Sequence, residues 1–129
     1  MNGDEISLTL PADKAFHRVA HLVLGGFAVR LDLTYERLED LELAVDALLG
    51  RHADGENVTV VVRVLDGALQ TSIGPLDSVR EELQHGRGEA VDLGRILGTV
   101  CDSVEVVDRN GGQWVELTQH VEKLREVQQ

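Results

Sequence analysis

Cysteine, aromatic residues and long apolar runs are all scarce in this chain, and each scarcity excludes something. Cys101 is the single cysteine in 129 residues, so no disulfide forms within the chain and a reducing compartment is implied. A reactive thiol needs a histidine or a cation beside it, and the stretch ILGTVCDSVEV supplies none. Cys101 therefore reads as a buried structural residue. The rings number four, Phe16, Phe27, Tyr35 and Trp114, too few for a platform on which bases stack. Positive charge is short as well: 12 Lys and Arg stand against 23 Asp and Glu, a net charge of −11 spread along the whole length. Such a field repels phosphate backbones and excludes nucleic acid as a direct partner. The apolar runs, such as Val58 to Val62, fall far short of the ~20 residues that span a bilayer, so no transmembrane helix is expected. The opening MNGDEISLTL carries two acids where a secretory signal needs bases, and the expected location is cytoplasmic.

What is present suffices for one domain, residues 1–129, with 43% hydrophobic residues to build a single core. ISLTL alternates Ile6, Leu8 and Leu10 and stops at Pro11, a half-buried strand over 5–10. From Ala12 the spacing is helical, with Phe16, Val19, Ala20, Val23 and Phe27 on one side. Thr34 caps a second helix whose core stripe is Leu38, Leu41, Val45 and Leu48 and whose stop is Gly50. NVTVVVRVLDGALQTSI reads as two strands turning at Asp66-Gly67. A short helix capped by Asp77 or Ser78 follows, then DLGRILGTVCD as another helix. A second hairpin turns around Asn110-Gly111-Gly112, and EKLREVQQ ends the chain as a frayed helix. Strands paired by hairpins, with helices grouped between them, predict an α+β, two-layer α/β sandwich: a mixed sheet of about five strands with helices on one face.

In that order the segments ISLTLPADKAFHRVAHLV, YERLEDLELAVDA, VTVVVRVLDGALQTSIGP and LGRILGTVCDSVEVVDRNGGQWVELT resemble the histidine-kinase-like (Bergerat-fold) ATPases, and among them the anti-sigma-factor serine kinases. The resemblance implies three short boxes that hold Mg-ATP. On the second helix the family carries a Glu as general base, then an Asn that holds Mg²⁺, then commonly a His. Here the Glu position falls on Ala47, LLGRHA contains no Asn, and His52 matches the His. After the central hairpin, Ser72 stands where an Asp reads adenine, ahead of Gly74-Pro75, and Leu76 replaces a further Gly. At the start of the last helix Asp92 replaces the first Gly of a phosphate-receiving pair, and Gly94 keeps the second.

Loss of a positioned general base costs ~10²–10⁴ in rate. The expectation is therefore a non-catalytic, protein-binding regulator that keeps the fold and needs no cofactor, its relic pocket near Asp46, Arg51, His52, Ser72, Gly74, Asp92 and Gly94. The alternative is a divergent ATP- and Mg-dependent serine kinase with Arg51 or Arg95 on phosphate and Asp46 or Asp92 on metal. The resemblance implies as partners a sigma factor, an anti-anti-sigma antagonist or a second copy of the chain. Lys14, Arg18 and Arg30 are among the few bases before residue 37, and Lys14 and Arg18 are the candidate rim of a docking surface on the first strand and helix. His17 and His21 lie four apart, as zinc ligands can, but Arg18 stands where a metalloprotease helix has Glu, so they read as solvent-facing and no metal is expected. Ser72, His52 and Asp77 lack the Gly-x-Ser-x-Gly elbow of a hydrolase.

Overall fold

The computed structural model describes residues 5–11, 13–50, 57–65, 67–76, 79–85, 93–109 and 112–120. Strand β1 (Glu5–Pro11) leads through a 3-10 turn at Lys14–Phe16 into helices α1 (His17–Leu31) and α2 (Tyr35–Leu49). Strands β2 (Asn57–Leu65) and β3 (Ala68–Leu76), helices α3 (Val79–His85) and α4 (Leu93–Val100), and strands β4 (Ser103–Arg109) and β5 (Gly112–His120) follow. The sheet order is β1-β2-β3-β5-β4, which leaves β1 and β4 as edges.

The local chemistry is readable at each boundary. Asp13 accepts from the Ala15 amide and starts the 3-10 turn. Thr34 caps α2 by accepting from the Arg37 amide at 3.1 Å, and Gly50 ends it. Leu65 faces Ala68 across the first hairpin, where Gly67 takes a φ of 67°. Arg109 faces Gly112 across the second. The Asp77 and Ser78 cap and the helix expected in EKLREVQQ lie outside the described residues.

The two-layer α+β architecture is as expected, with one difference. All four strand pairings are antiparallel, so the sheet is not mixed. The reason is the helix pair. Short connections fold α1 and α2 back on each other, bringing His17 and His21 beside Asp46, so the chain enters β2 running against β1. The pleat then sorts each strand: Val58, Val60 and Val62, Leu69 and Ile73, and Val115 and Leu117 face the helices and are buried. Leu41, Ala44, Val45 and Leu48 of α2 and Leu93 and Leu97 of α4 complete the same core.

Helix α1 keeps Ala20, Val23 and Phe27 of its expected inward stripe against the core and loses the two residues at its start. It starts at His17, and Ala20, Leu24, Phe27 and Ala28 are its buried residues. Phe16 and Val19, expected in the core, are 38% and 36% exposed, and Leu22 and Val29 are more exposed still. The helix is apolar on most sides, so its own periodicity does not choose the inward face; contact with the sheet does.

Candidate functional site

The positions assigned to a nucleotide pocket sit on α2, the end of β3 and the start of α4. On α2, Ala47 is partly buried against the core and offers no oxygen for a proton or a cation. Asp46, its neighbour, is engaged elsewhere: His21 Nε2 donates to its Oδ1 at 2.8 Å, and His17 Nδ1 lies 3.6 Å from the same oxygen. The two histidines are therefore partly buried and partnered rather than solvent-facing. Arg51, His52 and Asp92 lie outside the described residues.

On β3 the alternation of the pleat decides. Ile73 is in the core under the helices, so Ser72 belongs to the opposite face, away from the described helices, in register with Val61 and Glu116. It is 1% exposed there. Gly74 shares that face and is covered by the Trp114 indole: a Cβ on Gly74 would lie 2.5 Å from Trp114 Cγ and Cδ2. The glycine leaves room for an indole of its own chain. Arg109 lies over the same ring, 5.0 Å from its centroid, and donates to Glu116 at 2.6 Å. Leu76 is buried in the core. Ser72, His52 and Asp77 are not shown together, because only Ser72 is among the described residues.

Gly94 lines a groove of about 380 Å³ with Arg80, Leu83, Leu97, Gly98, Val104 and Val106, between α3, α4 and the β4 edge. Arg95 is exposed on the same helix. Cys101 is buried, and burial first, then the negative charges of Asp102 and Asp40, push its thiol up to about 12, so it is no nucleophile near neutral pH.

On the other flank, Lys14 and Arg18 are exposed as expected. Beside them a groove of about 560 Å³ runs between β1 and α1, lined by Glu5, Ile6, Leu22, Val23, Phe27 and Arg30 among others. Phe27 is in the core and Val23 packs against it, as the sequence placed them; the exposure of Leu22, which gives the groove its apolar rim, was not marked there.

No family model matches the sequence. Among curated proteins, the chain is 32% identical over 98 residues to the serine-protein kinase RsbW of Oceanobacillus iheyensis, a match covering 74% of this chain and 58% of that protein. It is 30% identical over 110 residues to the serine-protein kinase RsbW of Listeria innocua, covering 74% of this chain and 69% of the relative. The chain belongs to the RsbW serine-protein kinase family. A solved structure containing the RsbU and RsbW domains of a Mycobacterium tuberculosis protein superposes with a TM-score of 0.67 over 93% of this chain and 33% of that one. At 13% identity it supports the fold. The chain thus spans a little over half of one curated RsbW relative and about two thirds of another.

Membership corrects one expectation. That the chain needs no cofactor does not stand beside relatives named serine-protein kinases, because a kinase draws its phosphoryl group from ATP held with Mg²⁺. The described residues nevertheless do not build the contacts that the resemblance assigned: Ala47 has no ligand atom, Ser72 is on the far face of the sheet, and Gly74 is covered by Trp114. Among the described residues, no helix is long and apolar enough to cross a membrane.

Proposed function

We propose that this chain is a single-domain, cytoplasmic regulator of the RsbW type that acts by holding a protein partner, a sigma factor or its anti-anti-sigma antagonist, and that transfers phosphate slowly or not at all. Ala47 carries the reading of the chemistry. Where the family places a general base this chain has a methyl group, and loss of such a base costs ~10²–10⁴ in rate. ATP stays in the reading as the family's phosphoryl donor; the group that would accept the serine proton is what is missing.

The relatives' name favours a second reading, an active ATP-dependent serine kinase that has recruited Arg51 or Arg95 for phosphate and Asp46 or Asp92 for Mg²⁺. The hydrogen bond between Asp46 and His21 weighs against the use of Asp46. Incubation with γ-labelled ATP, Mg²⁺ and a serine-bearing antagonist separates the two. Turnover at rates ordinary for kinases, ~1–100 s⁻¹, would establish the second reading. Ala47→Glu alone is expected to restore nothing, because LLGRHA also lacks the Asn.

For docking we favour the β1 and α1 flank, with Lys14 and Arg18 at the rim and a second copy of the chain as a further occupant. The apolar groove and the exposed Ile6 and Leu22 support it. Reversing both charges, Lys14→Glu with Arg18→Glu, should weaken association and shift stability by no more than about 0.5 kcal/mol. A chain that sediments as a monomer at high concentration, and a reversed variant that still binds a purified sigma factor and antagonist equally well, would refute this placement.

A further inference from the structure

Strand β4 is an edge of the sheet, and its outer backbone pairs with no strand among the described residues. A two-residue turn makes its flanking pair, Arg109 and Gly112, exchange both backbone bonds, so Val107 and Glu105 also point theirs at β5. Val104, Val106 and Asp108 then turn their N–H and C=O groups off the sheet. Arg80 reaches the Val106 carbonyl at 3.1 Å, and a carbonyl oxygen can accept a second bond. The side chains of this edge are as unfinished as its backbone. Glu105 is exposed, stands opposite Glu116, and has no bonded partner among the described residues. Glu116 itself accepts from Arg109 at 2.6 Å. We propose that β4 pairs antiparallel with β4 of a second copy of this chain, joining the two sheets into one, with Glu105 of each copy facing Arg109 of the other.

Charge selects the register of this seam. Pairing centred on Glu105 or on Asp108 sets like charges against each other, and pairing centred on Val106 brings no opposite charges together. Centred on Val107, the seam sets Glu105 against Arg109 twice, once in each direction, and lets the outward groups of Val106 bond those of Asp108. Arg109 is exposed and gives Glu116 one nitrogen of a guanidinium that carries five N–H donors, so it can serve a second carboxylate. On the face away from the described helices the two Val107 side chains meet. On the helix side Val104 and Val106 line the groove of about 380 Å³ with Leu97, Gly94 and Gly98, and the seam sets that groove beside its counterpart. A Cβ on Gly98 would meet nothing within 4 Å, so α4 leaves room for the second copy. The other edge offers no such match, since the one charged residue of β1, Glu5, accepts from Arg63. Joined through β4, the sheets keep a β1 and α1 flank at each outer end, and one dimer presents two of them.

The seam is short, so a weak dimer is expected, measured by sedimentation equilibrium of the full chain at up to about 1 mM in about 0.15 M NaCl. Glu105→Arg and Arg109→Glu, each alone, should weaken dimerisation tenfold or more. The first of these lowers the net negative charge, so its effect cannot come from overall repulsion. An equal mixture of the two variants should dimerise again, because every charge along the mixed seam then meets its opposite. Asp108→Pro removes an N–H that points off the edge, where proline is tolerated, and should also weaken the dimer tenfold or more. It decides the matter even if Arg109→Glu unfolds on leaving Glu116 without its partner, which melting curves reveal. A chain that stays monomeric at about 1 mM, or single variants that dimerise like the parent, would overturn the seam. So would a dimer dissolved by Lys14→Glu with Arg18→Glu but not by Asp108→Pro, which would place the second copy on the β1 and α1 flank instead.

Discussion

Gly74→Ala tests the packing of the sheet face opposite the described helices most directly. Gly74 is not among the glycines with positive φ, so alanine is not barred here by a left-handed backbone. The objection is spatial. The new methyl carbon would sit 2.5 Å from Trp114 Cγ and Cδ2 and 2.8 Å from Cε2. Carbon atoms in contact prefer ~3.5–4.0 Å, so the ring must withdraw by roughly 1 Å. That movement disturbs the stacking of Arg109 over the indole. Overpacking of this kind costs about 1–3 kcal/mol. In a Trp114→Ala background the same substitution meets no ring, and stiffening of the unfolded chain should make it neutral or stabilising by about 0.4–1 kcal/mol. Urea melts of the four proteins close a double-mutant cycle with an expected coupling of at least about 1 kcal/mol. Trp114 is the chain's sole tryptophan, so its emission reports the displacement in Gly74→Ala without a label. A Gly74→Ala variant as stable as the parent, or equally destabilised with and without the indole, would refute the argument.

Further outcomes follow from the core and the helix ends. Leu48→Ala removes a side chain of zero exposure and should cost about 2–5 kcal/mol by denaturant titration, whereas Leu22→Ala on the exposed face should stay within about 0.5 kcal/mol. Thr34→Ala removes the α2 cap and should cost about 0.5–2 kcal/mol, recovered in large part by Thr34→Asp. Desolvation raises the Asp102 carboxyl, but the His120 amide and the Arg37 guanidinium outweigh it and hold the group below its ordinary 3.8. Its contribution is therefore complete above the unfolded value and lost as the pH falls through the folded one; Asp102→Asn should flatten the acid limb of the stability profile, and an unchanged limb would refute the assignment. Cys101 in the folded protein should resist a thiol reagent at pH 8 and react only on unfolding, since its thiol is buried and pushed up to about 12.

The sequence by itself determined what local rules govern. Alternation in ISLTL and NVTVVV, the cap at Thr34, the stop at Gly50 and the two-residue turn after Leu65 all hold in the fold, because each depends on the chain's own geometry over a few residues. The replacements at Ala47 and Ser72 were also legible, since a missing oxygen needs no coordinates to be noticed. The tertiary structure decided the rest. It chose which side of α1 is buried, a helix with apolar residues on most sides having no inward face of its own. It put Ser72 on the side of the sheet away from the described helices, because strand register settles which of two alternating faces meets them. It set Trp114 against Gly74 across two paired strands 40 residues apart, and it joined His17 and His21 to an aspartate 25 residues beyond the second. Contacts of that range depend on how whole elements dock, and no pattern within one element encodes them.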